Sequence, residues 1–200
     1  MKRIHWLSIL LLLASGCSGE TGEPPARDEK ASEPGAPIAD AAKPEDRSRY
    51  TRLTGCTLTR SAPEEAGFFE HECPGEGGYR LRHVEADLRE NLVVLAPGGG
   101  EHSLELPALA AGAFSSTGDT VEWRGESGAD GFVPAALIVR QSAVEDPDPN
   151  IPEVSYLVVA RLAPTPCVVA RVPPGPDQNV RAREAADRGG ECLATPARAG

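Results

Sequence analysis

Val154-Ser-Tyr-Leu-Val-Val-Ala-Arg-Leu162 decides the fold class of this 200-residue chain. Val154, Tyr156, Val158, Ala160 and Leu162 recur with strict period two, the spacing of one face of a β-strand. Ala163-Pro-Thr-Pro166 interrupts the pattern and Cys167–Val172 starts a second apolar run, so strand, short proline loop and strand read as a hairpin. Upstream, Thr120-Val-Glu-Trp-Arg124 places Val121 and Trp123 on one face, with Glu122 and Arg124 on the other. Ala135–Val139 and Leu92–Leu95 are short apolar runs, the latter ended by Pro97 and three glycines. Leu104 and Leu106 alternate with polar residues before Pro107.

Tyr79–Leu88 also alternates, but its apolar phase switches near His83. Tyr79 and Leu81 share one face, whereas Val84, Ala86 and Leu88 share the other, which predicts a bulge or two consecutive short strands. One helix is expected, Asn179–Arg188, capped by Asp177 or Asn179 and stopped by Gly189-Gly190. Its Ala182, Ala185 and Ala186 form a small apolar face that permits close approach. The predicted fold is α+β and β-rich: an antiparallel sheet or sandwich of about seven or eight strands with one C-terminal helix, stapled by disulfides.

Five cysteines suit an oxidising compartment. Setting Cys17 aside leaves Cys56, Cys73, Cys167 and Cys192, which allow three pairings. Closure of short local loops favours Cys56–Cys73 and Cys167–Cys192, the second tying the helix back to the last strand. A zinc site would want a Cys-x-x-Cys pair, and the sequence has none.

The N-terminus reads separately. Lys2 and Arg3 precede the apolar run Ile4–Leu13 and then Ala14-Ser15-Gly16-Cys17, a secretory signal too short to remain as a membrane span. Cys17 after Ala-Ser-Gly resembles the lipobox of bacterial lipoproteins, although that family usually carries Leu where Ala14 stands. The resemblance implies removal of residues 1–16, lipidation of Cys17 and, from Ser18, sorting to the outer membrane facing the periplasm. Residues 17–50 follow as a tether. Ser18–Tyr50 holds eight acids, five bases, five prolines and six alanines with almost nothing to bury, so it is expected to be disordered. It would reach on the order of 30 Å as a flexible coil. Residues 51–200 are then a single globular domain. Glu122-Trp123-Arg124, Ala136-Leu-Ile-Val-Arg140 and Asn179-x-x-Ala-Arg-x-x-Ala-Asp187 are similar to a loose group of uncharacterised exported bacterial proteins, which implies the same single domain and lends no activity.

The net charge is −10, and −12 once Lys2 and Arg3 are removed with the signal. Such a surface repels phosphate backbones and anionic lipid, which excludes nucleic acid as a partner and leaves membrane contact to the lipid. Nothing calls for a cofactor. His71, His83 and His102 lie among acids, types from which a metal or acid–base site could be built, but no ligand spacing such as His-Glu-x-x-His is present. Asp146, Asp148 and Asn150 copy the first half of a calcium loop, whose glycine and bidentate glutamate positions hold Ile151 and Leu157. A proline-kinked hairpin loop explains them better. Gly98-Gly99-Gly100 lacks the Lys-Ser/Thr of a phosphate loop, and no Gly-x-Ser-x-Gly elbow occurs. Glu122, Trp123 and Arg124 could line a ligand groove, an aromatic face flanked by charges. The competing expectation buries Trp123 in the core and turns Glu122 and Arg124 to solvent.

The sequence therefore predicts a lipid-anchored envelope protein whose domain is a non-catalytic binding or interaction module. The alternatives are a metal-dependent or acid–base hydrolase using histidines and acids in residues 70–105, and a purely structural envelope protein.

Overall fold

The computed structural model describes residues 47–194. Cys17, the signal and most of the expected tether lie outside the described residues. Strands β1 (Ser48–Arg52), β2 (Thr57–Ala62), β3 (Phe68–Pro74), β4 (Arg80–Ala86), β5 (Arg89–Leu95) and β6 (Glu101–Ser103) precede a short helix, α1 (Leu106–Leu109). Then come β7 (Ser115–Gly128), β8 (Gly131–Ala143), β9 (Val154–Arg161), β10 (Cys167–Val172) and helix α2 (Gln178–Arg188). The fold is the expected β-rich α+β domain with its C-terminal helix, but with ten strands among the described residues rather than seven or eight. The additional ones are those with weak apolar signals. β2 is exposed along nearly its whole length and β6 is only three residues long. β1 opens at Ser48, ahead of the boundary expected at residue 51, because Ser48–Arg52 pairs along β7 from Arg124 to Thr120.

The sheet runs β10-β9-β8-β7-β5-β4-β3-β2, with β1 on β7 and β6 on β5. All pairings are antiparallel except a single parallel bridge, Arg89 to Ser115, which joins the two halves. Side chains from both halves meet in one core. Cys73, Leu81, Leu92 and Val94 come from the first half, and Val121, Trp123, Leu137, Val139, Val158 and Ala160 from the second. The opposite faces of β8 and β9 carry Ala136, Ile138, Leu157 and Val159, which pack under Ala182, Ala185 and Ala186 of α2. β9 is thus buried on both sides, which is why its sequence is apolar beyond the alternating positions. β9 and β10 form the predicted hairpin.

Both expected disulfides are present. Cys56–Cys73 ties the β1–β2 turn to β3, and Cys167–Cys192 ties the chain beyond α2 to the start of β10. β4 departs from its sequence reading. Its register is unbroken from Arg80 to Glu85 against β3 and from Arg80 to Ala86 against β5, with neither bulge nor division. The phase switch has another cause: His83 and Glu85 continue the face that Leu81 begins, so polar residues occupy the core side of the strand's second half.

Candidate functional site

The side of β7 opposite Trp123 meets α2 through charge. Arg124 is only 3 % exposed. Its guanidinium donates to Asp187 on α2 through Nε at 3.1 Å and Nη2 at 2.9 and 2.7 Å. Its Nη1 donates to Ser48 Oγ at 2.7 Å, and Ser48 in turn donates to Glu122 Oε1 at 2.7 Å. Arg183, one helical turn before Asp187, grips Glu122 with Nε at 2.8 Å and Nη2 at 3.2 Å. The bonds to Glu122 raise the Arg183 guanidinium above its ordinary value, against the lowering effect of burial. Each of the two pairs spans helix and sheet.

These contacts correct the sequence reading of Glu122-Trp123-Arg124. Glu122 and Arg124 face α2 instead of solvent. Trp123 is fully buried, donates from Nε1 to Thr51 Oγ1 at 2.9 Å and lies 6.4 Å from the Tyr79 ring, so it presents no face to a ligand. Glu122 borders a cavity of about 310 Å³ beside α2, and Arg124 a second of about 320 Å³ with Ala186 and Asp187. Ile138, Leu157 and Ala182 give the first cavity its apolar surface, and Tyr50, Asp119, Thr120, Arg140 and Asn179 its polar one.

His71 and His83 are cross-strand partners on β3 and β4, with ring centroids 6.5 Å apart. His102 stands opposite Val94 on β6. His83 Nε2 is 2.9 Å from Glu90 Oε2 and 3.1 Å from Thr117 Oγ1, which itself donates to Glu90 Oε2 at 2.6 Å. The Thr117 amide adds a further bond to Glu90 at 2.8 Å. Burial raises the Glu90 carboxyl, but the bonds from His83 and from the Thr117 hydroxyl and amide outweigh it and hold the group below its usual range. Thr117 and Glu90 approach the same ring nitrogen. A nucleophile relay needs the two nitrogens of the imidazole to face opposite partners, so this arrangement cross-links β4, β5 and β7 without activating Thr117. Among the described residues, no group of three or more His, Cys, Asp or Glu is placed to hold a metal ion.

The β8–β9 connection is a hairpin loop. The Asp148 amide bonds to Asp146 Oδ1 at 2.9 Å, and Asn150 bonds to Asp148 Oδ1 through its amide at 2.9 Å and its side chain at 2.8 Å. The bonds from Asn150, backbone first, hold the Asp148 carboxyl below its usual range. Pro147, Pro149 and Pro152 stiffen the loop, which forms one wall of a cleft of about 770 Å³. Phe114 and Ile151 stand on its lips, 46 % and 47 % exposed. Arg89 lies over the Phe114 ring at 4.9 Å. Asp146, Asp148 and Glu153 border the cleft and form no ion pair among the described residues.

Comparison with known proteins adds no relative: no family model matches the chain, and no curated protein or solved structure is significantly similar to it. The sequence reading missed Arg140, Phe114 and the Glu90–Thr117 pair. One signal was available, the phase switch at His83, where a polar residue took a core position and needed partners.

Proposed function

We propose that this chain is an exported, lipid-anchored cell-envelope protein, held at Cys17 and sorted to the outer membrane, whose domain is a non-catalytic binding module. The observation that carries the binding reading is the cleft beside the β8–β9 loop. Two large apolar side chains stand exposed on its lips, and three carboxylates without ion-pair partners among the described residues line its loop wall. Arg89 also borders the cleft, over the Phe114 ring, so the acidic character lies on the loop side. Apolar area beside that acidic wall suits a segment of an envelope protein that carries cations next to an aliphatic side chain. The proline-stiffened loop favours binding by reducing the ordering that association requires. Two disulfides fit an oxidising compartment. No helix among the described residues is long and apolar enough to cross a membrane. Lipid at Cys17 would supply the attachment, and Cys17→Ala should move the protein out of the membrane fraction. Unchanged partitioning would overturn the anchor.

The cleft is tested with two synthetic peptides, one alternating Lys with Leu and one alternating Glu with Leu, titrated into the whole chain by fluorescence anisotropy. The basic peptide should bind, the acidic one should not, and Phe114→Ser should weaken binding by about tenfold. Equal binding of both peptides, or indifference to Phe114→Ser, would reject the cleft as the contact surface.

A further inference from the structure

The cavity beside α2 is a separate place, and the observations on it do not depend on the cleft. It is bordered by Glu122, Asp119 and Arg140, and the state of each charge differs. Glu122 is spoken for by the two bonds from Arg183 and the one from Ser48. Arg140 is half-buried on the same face of β8 as Ile138 and, among the described residues, donates only from Nη1, to Ser155 Oγ at 2.7 Å and Gln178 Oε1 at 3.3 Å. No carboxylate lies within ion-pair distance of it among the described residues, and its Nε and Nη2 have no protein acceptor there. A half-buried guanidinium with neutral partners alone has lost part of its hydration without gaining a counter-charge.

The position of Arg140 is fixed by its surroundings. Gly118 lies in the irregular stretch of β7 between Thr117 and Val121, where the register against β8 shifts. A Cβ at Gly118 would come within 3.0 Å of Arg140 Cβ, so the missing side chain lets the arginine stem run close against β7. Ser155 and Gln178 then hold one end of the guanidinium. Asp119, next to Gly118, reaches the same cavity and forms no ion pair of its own among the described residues. A cation and an anion thus border one space of about 310 Å³ without engaging each other, with Ile138, Leu157 and Ala182 between. That volume lies at the small end of ligand sites, and a few polar groups around an apolar wall is their usual make-up.

We infer that this cavity binds a small aliphatic zwitterion of the amino-acid type, its carboxylate on Arg140 and its ammonium toward Asp119. The free Nε and Nη2 edge of Arg140 offers a carboxylate two parallel hydrogen bonds. The aliphatic side chain would lie against Ile138, Leu157 and Ala182.

The test is calorimetric titration of the whole chain with L-leucine, N-acetyl-L-leucine and L-leucine methyl ester. Leucine should bind, and the two derivatives, lacking cation or anion respectively, should each bind about tenfold more weakly. Arg140→Gln should abolish binding of leucine. Asp119→Asn, at an exposed position whose backbone carbonyl keeps its bond to the Leu53 amide, leaves folding intact and should cost about tenfold. No heat with leucine at millimolar concentration overturns the inference. So does unchanged leucine affinity in Asp119→Asn, or equal affinity for leucine and its methyl ester. Binding of leucine that persists in Arg140→Gln places the amino acid elsewhere and equally overturns it.

Discussion

Replacing Asp187 with alanine should unfold the domain well below its normal temperature, although Asp187 lies at the end of a surface helix with its side chain 30 % exposed. The reason is its partner. Arg124 is 3 % exposed and directs three of its hydrogen bonds to Asp187, so the substitution removes a closely bonded counter-charge from a guanidinium that cannot reach water. Breaking a buried pair in this way costs about 3–5 kcal/mol. Ser48 and Glu122 remain beside Arg124, and Asp187 is partly solvated, so the lower limit applies. A loss of about 3 kcal/mol corresponds to a fall in Tm of about 9 °C for a domain of this size. The assay is thermal unfolding of the whole chain followed by circular dichroism. Arg124→Met with Asp187→Leu serves as the companion variant, because replacing both charges with apolar groups of similar volume avoids leaving a buried cation with reduced compensation. It should recover most of the loss. A fall of less than about 3 °C in Asp187→Ala, corresponding to about 1 kcal/mol, would refute the claim that this pair is needed to neutralise Arg124. A double variant no more stable than the single one would refute the claim that reduced compensation of the Arg124 charge causes the loss.

Glu90 should make the domain acid-sensitive. Its folded-state carboxyl titrates below the unfolded value of about 4.3, so its contribution is fully present above that value and is lost as the pH falls through the folded one. Urea midpoints of the wild type should therefore fall more steeply between about pH 5 and pH 3 than those of Glu90→Gln, and parallel curves would show that the His83 and Thr117 bonds do not favour the ionised form. Removing the second disulfide by Cys167→Ala with Cys192→Ala should cost about 3.5 kcal/mol by the loop-entropy relation for a separation of 25 residues. Amide exchange should rise first at Leu193, whose bond to the Val168 carbonyl depends on that tie; unchanged exchange there would contradict it.

The fold was legible where a strand has a single buried face or lies wholly within the core. β9, β10 and the Val121–Trp123 alternation carry the architecture in their spacing, and the alanine face of α2 announced a helix seated close on the sheet. Local loop length also sufficed for both disulfides. Legibility failed where the burying surface comes from distant sequence. β1 and β2 are mostly exposed strands whose pairing is made through the backbone, leaving no apolar period to read. Glu122 and Arg124 look like a solvent face because alternation distinguishes one side of a strand from the other but not water from a helix 60 residues away. Arg140 was hidden for the same reason, ending an apolar run with nothing local to mark it as the edge of a cavity.

The way α2 lies on the sheet explains why these charges take the arrangement they do. Alanines at 182, 185 and 186 bring the helix down onto Ala136, Ile138, Leu157 and Val159 with little side-chain volume between. Close approach brings the charged flank of β7 within reach of α2, where each group must find a partner or forfeit its solvation. Arg183 and Asp187 sit one turn apart on α2, as Glu122 and Arg124 sit two apart on β7, so acid meets base twice along one line. β7 then shifts register between Thr117 and Val121, and the line of pairs is not continued opposite Arg140. The same close seating that forces two ion pairs to form thus leaves a third cation beside a cavity, with neutral partners on one side and open space on the other. A ligand carboxylate there would continue the pattern that the protein's own acids begin.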